Sequence, residues 1–87
     1  MIKMQRSKVY ELIDGERNYQ VDYCKEKNYK ESHELGEHIL LMNEYSDRIR
    51  KLWTDNSGQI DEEKKIIIDE IIKLSAICVR CLEEHGM

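Results

Sequence analysis

The stretch 61-DEEKKIIIDEIIKLSAICVRCLEEH-85 decides how the rest of this chain folds. Three acids open it, and Arg80, His85 and then Gly86 close it, so charge and cap both fit one long helix. Apolar residues recur at Ile67, Ile71, Leu74, Cys78 and Cys81, at the three- and four-residue steps that put side chains on one face. A second row, Ile68, Ile72, Ser75, Ala76 and Leu82, lies beside it. Two adjacent rows make a stripe broader than one packing partner needs. This helix is therefore expected to be the centre of the core and also to meet another subunit.

Toward the N-terminus, helical spacing runs through Val9, Leu12, Ile13, Arg17, Tyr19, Gln20, Tyr23 and Cys24, with Met1 to Ser7 expected to fray. Gly15 costs this segment about 1 kcal/mol relative to alanine, and Asp14-Gly15 could mark a kink or a break. One helix from Lys8 is the expectation. Asn28 to Ser32 is the first connection, with Ser32 a candidate N-cap and Glu34 in the turn that follows. A second helix is predicted from His33 to Trp53, with Leu35, Ile39, Met42, Ser46, Ile49 and Trp53 on one face and Leu41, Tyr45 and Leu52 widening it. The turn formers Thr54-Asp55-Asn56-Ser57-Gly58 should end it and permit an antiparallel return. The expected fold is all-α: one domain over residues 1–87, three antiparallel helices, assembled into a homo-oligomeric helical bundle.

Composition agrees. The chain has 87 residues, no proline and 37% charged residues, the profile of a small helical domain. Three cysteines, an odd number without a scaffold spacing, give no disulfide framework and favour a reducing cytoplasm. A net charge of −4 argues against general nucleic-acid binding, which relies on a basic surface, but not against a small anion in a local pocket. The longest purely apolar runs, Ile39 to Met42 and Ala76 to Val79, offer neither a membrane span nor a signal segment, so no membrane partner is expected.

Several groupings could carry chemistry. Glu34 and Glu37, at i and i+3, could share a hard cation such as Mg²⁺, or could only complement the dipole of a solvated first turn. Arg17, Lys73 and Arg80 are cations in an acidic chain, and Tyr19, Tyr23, Tyr45 and Trp53 supply flat rings. With the polar ends of Gln20 and Asn56, they suit a nucleotide or dinucleotide. The competing reading is packing rings, with the cations paired to Glu16, Glu37 and Glu70. Cys78, Cys81 and His85 share a face like half a zinc site, which Cys24 or His38 could complete, although buried cysteines most often simply pack. No glycine-rich phosphate loop, Ser-His-Asp order or dinucleotide fingerprint occurs.

Two resemblances add to this reading. LGEHILLM and DEIIKLSAICVRCLEE look like segments of the MazG-like all-α nucleotide pyrophosphohydrolases, whose ExxE and ExxD motifs hold Mg²⁺ on a triphosphate. Glu34, Glu37 and Glu70 match three of those acids, and Lys73 stands where the fourth would be. A cation there repels the ion the site should bind. A broader resemblance, from Glu16 to Gly86, is to a family of short phage and prophage proteins with the pattern ERxYQ, HSxGD/E, WTDN and AVRCxEEHG. Arg17, Tyr19, Gln20, His33, Gly36, Glu37, Trp53, Asp55, Asn56, Lys73, Arg80, Cys81, Glu84, His85 and Gly86 fit it, and a basic residue at position 73 belongs to that pattern.

The resemblances imply a phage protein in the bacterial cytoplasm that binds and sequesters a nucleotide-type signal of host defence without cleaving it, and needs no cofactor. Its expected ligand-binding residues are Arg17, Tyr19, Gln20, His33, Glu37, Trp53, Asn56, Lys73, Arg80 and His85. One alternative is a Mg²⁺-dependent nucleoside triphosphate pyrophosphohydrolase using Glu34, Glu37 and Glu70, or acids such as Glu44, Asp61 and Asp69. The other is a helical adaptor that grips a host protein.

Overall fold

The computed structural model describes residues 3–27, 33–56 and 61–87, with the Asn56 side chain outside that description. Three helices account for nearly all of them: α1 (Arg6–Glu26), α2 (Leu35–Asn56) and α3 (Asp61–His85). No strand occurs among the described residues, so the expected all-α class holds.

α3 has the predicted limits. Asp61, Glu62 and Glu63 occupy its first turn and His85 its last, each charge placed to favour the helix dipole. At its end the Gly86 amide donates to the Leu82 carbonyl at 2.8 Å, and a Cβ at Gly86 would collide with that same oxygen. α1 starts at Arg6, two residues before the expected Lys8, behind the extended Gln5, whose carbonyl accepts from the Val9 amide at 3.0 Å. It passes through Gly15 without a break, and nothing lies within 4 Å of where a Cβ there would be.

α2 differs at both ends. His33 and Glu34 precede it, because Glu37 reaches back and its Oε1 accepts from the Glu34 amide at 2.9 Å. Glu34 is thus the N-cap of half a capping box and Glu37 its third helical residue. At the other end Thr54, Asp55 and Asn56 complete a last turn and do not leave the helix at Trp53. The expected Ser32 cap, the connection 28–32 and Ser57-Gly58 lie outside the described residues.

α3 is the hub. It packs against both α1 and α2, which do not pack against one another among the described residues. α2 runs antiparallel to α3: His33 meets Glu84, Met42 meets Cys78, and Arg48 meets Glu70. Because α3 is flanked on two sides, its buried residues are Ile67, Ala76 and Cys81 from the two predicted rows, together with Ile77 and Arg80, which lie outside them. Ile68, Ile71 and Leu82 are exposed. On α2 the inward row is His38, Leu41, Met42, Tyr45, Ile49 and Leu52, while Leu35, Ile39, Ser46 and Trp53 face outward. Apolar spacing permitted either row, and the seat of His38 against the end of α3 selects this one. α1 buries no residue completely. No helix among the described residues is long and apolar enough to cross a membrane.

Candidate functional site

Because α1 and α2 rest on different flanks of α3, a cleft of about 510 Å³ opens where the three meet. α1 contributes Glu16, Tyr19, Gln20, Tyr23 and Cys24, α2 contributes Leu41 and Tyr45, and α3 contributes Lys73, Ile77 and Arg80. One α1 face carries all five of its residues at helical steps, and Lys73 and Arg80 stand two turns apart on α3.

The rings and charges here are already in contact. Tyr19 and Tyr23 stack with centroids 6.1 Å apart and planes 30° from parallel. The Arg48 guanidinium sits 4.6 Å above the Tyr45 ring. Lys73 Nζ lies 3.5 Å from Glu70 Oε1, and Arg48 Nη1 lies 3.4 Å from Glu70 Oε2, so Glu70 is shared by two cations. Gln20 donates through Nε2 to the Lys73 carbonyl at 3.4 Å, while its enclosed Oε1 has no hydrogen-bond partner. Burial pushes the Glu16 carboxyl above its usual value; the Lys73 charge opposes this, and Glu70 and Asp69 add to it. The cleft thus combines exposed ring faces, two cations, an unmatched acceptor and a carboxyl inclined to hold its proton.

The remaining expected ligand residues, apart from Asn56, whose side chain lies outside the description, fall in three other places. Arg17 pairs with Glu83 at 2.8 Å beside a groove that shares Gln20 and Arg80 with the cleft. His33, Glu37 and His85 gather where α2 starts against the end of α3. There the His33 amide donates to Glu84 Oε2 at 3.1 Å, His33 Nδ1 lies 3.4 Å from Glu37 Oε2, and His85 Nε2 lies 2.8 Å from the His33 carbonyl oxygen. Trp53 is exposed near the other end of α2, roughly 22 Å along the axis from His38. The structure therefore brings together Tyr19, Gln20, Lys73 and Arg80, places Arg17 alongside, and separates Trp53.

The three acids expected for Mg²⁺ are not gathered. Glu34 and Glu37 form the cap opposite Glu84, whereas Glu70 lies about 21 Å down α3 from Glu84, between Arg48 and Lys73. Nor do the thiols join His85. Cys78 Sγ lies 3.4 Å from Met42 Sδ, Cys81 is buried, and all three cysteines are free. Burial, with a smaller contribution from Cys81, pushes the Cys78 thiol up, the state of a packing residue. Among the described residues, the three potential metal-ligating groups that do converge are His38, Glu84 and His85.

Glu16 and His38 were undervalued by sequence reasoning. Glu16 could have been found from its four-residue step to Gln20. His38 could not, because nothing in LGEHILLM marks a histidine, and not its neighbour Ile39, for burial.

Fold and cleft together define a small all-α protein whose central helix carries two others and a polar-aromatic groove between them. Comparison with protein-family models, with characterised proteins and with solved structures finds no match.

Proposed function

We propose that the protein binds a nucleotide or nucleotide-derived signal in the cleft between α1 and α2 and holds it without cleaving it, as a phage protein that removes a host-defence signal would. One observation carries the reading: Tyr19, Gln20, Lys73 and Arg80, distant in sequence, line one cleft with Tyr23 and Tyr45. Ring faces can stack a base and the cations can meet phosphate. Binding without hydrolysis is favoured because Glu34 and Glu37 stand far from Glu70, and Glu70 is already neutralised by Lys73 and Arg48.

Self-association belongs to the same reading. Ile66, Ile68, Ile71 and Leu82 of α3 supply apolar surface that a second copy would cover.

Calorimetry against cyclic and linear nucleotides, followed by recovery of the ligand, tests the function. Tight binding with intact ligand, weakened about 5- to 150-fold in Tyr19→Ala through loss of one stacked base, supports it. Absence of binding across the panel overturns it. So does Mg²⁺-dependent hydrolysis abolished by Glu37→Ala, which would restore the pyrophosphohydrolase reading.

A further inference from the structure

His38 is 0% exposed, and neither ring nitrogen has a hydrogen-bond partner. An imidazole sealed in this way is expensive, at about 1–3 kcal/mol for each buried polar atom left unmatched. Its surroundings are not apolar. The His33 and His85 rings approach it edge-on, each with its centroid 5.3 Å away. Glu84 Oε2 lies 3.8 Å from His38 Nε2 and 3.8 Å from His85 Nε2. One donor atom from each of His38, Glu84 and His85 falls within 4.8 Å of the others.

From this convergence we propose that His38, Glu84 and His85 form a binding site for one divalent first-row transition ion, with Zn²⁺ the best match. Two imidazoles and one carboxylate are a known ligand set for zinc, leaving a position for water or a fourth ligand. Ligands about 2.1 Å from a tetrahedral ion stand about 3.4 Å apart. The two separations that involve Glu84 are 3.8 Å and all three lie within 4.8 Å, so the imidazoles must close by up to about 1.4 Å to take up a common ion.

His85 can make such a movement. It lies in the last turn of α3 and would exchange its 2.8 Å contact with the His33 carbonyl for the metal, moving its proton to Nδ1. Arg80 Nε contacts Glu84 Oε1 at 3.4 Å, and Oε2, which already accepts from the His33 amide at 3.1 Å, keeps a second lone pair for an ion beside the two imidazoles. His33, with Nδ1 beside Glu37, is the nearest spare imidazole.

The site shares no ligand with the nucleotide cleft, so the test uses the metal alone. Tag-free protein stripped with a chelator is titrated with Zn²⁺ by calorimetry and with Co²⁺ by visible absorption. One equivalent should bind, the Co²⁺ bands should indicate four-coordination, and the melting temperature should rise. His85→Asn and Glu84→Gln, both at partly exposed positions, should weaken binding by more than about tenfold, since even supporting residues around a metal are worth that much. Circular dichroism confirms that each variant is folded. The double variant Cys78→Ser/Cys81→Ser should bind as the parent does. Failure of the parent to bind, undiminished binding by His85→Asn, or loss of binding with the thiols would each overturn the proposal.

Discussion

Replacing His38 with leucine in the metal-free protein should stabilise it. The neutral ring carries one donor and one acceptor, both enclosed and unmatched, which together cost on the order of 2–6 kcal/mol. Leucine removes both and fills much of the same space, while imperfect fit gives back roughly 1–3 kcal/mol. The net expectation is a gain of about 1–3 kcal/mol, or roughly 5–20 °C in melting temperature for a domain of this size. Chemical denaturation in the presence of a chelator measures it.

The pH dependence supplies a second readout with a definite sign. Unfolded, His38 titrates near its ordinary value of 6.5; folded, burial holds it lower, with His33, Arg80 and His85 adding to that effect and Glu84 opposing it. The unfolded chain therefore takes up the proton first, and acid favours unfolding. Stability present above pH 6.5 is lost as the pH falls toward the folded value, and His38→Leu should lose less over that window. A loss of more than about 1 kcal/mol in the metal-free leucine variant, or an unchanged acid profile, would refute the argument, because the nitrogens would then be matched in solution.

Three further outcomes follow from the packing. Ile77→Ala, at a position only 4% exposed beneath the cleft, should cost about 2–5 kcal/mol in denaturant unfolding. Gly15→Ala should add about 0.5–1 kcal/mol, because the glycine sits inside α1 with open space where the methyl would go; a loss would mean that α1 bends there in solution. Light scattering should find a homo-oligomer that Ile68→Glu with Ile71→Glu reduces to a monomer while helicity by circular dichroism is retained; a monomeric parent would contradict the proposed self-association.

Local chemistry is what the sequence settled by itself. Acids at Asp61 to Glu63, apolar steps through Cys81 and a glycine at 86 leave α3 one set of limits, because dipole, periodicity and cap all act within a few residues. The three-helix class and the unbroken α1 were legible for the same reason. Which row of each helix turns inward was not. Leu35-Ile39 and His38-Leu41 on α2 are both compatible with helical spacing, and only the partner surface of α3 distinguishes them.

The ends of α2 show the same division. Glu37 reads in sequence as a candidate Mg²⁺ ligand or a solvated first-turn acid, and becomes a cap only once its carboxylate turns back to the Glu34 amide. Tertiary structure likewise sorted the expected site: it placed Tyr19, Gln20, Lys73 and Arg80 around one cleft, left Trp53 apart, and enclosed His38 against Glu84 and His85. Those groupings join residues up to about sixty positions apart, and no spacing along one helix encodes how two helices cross.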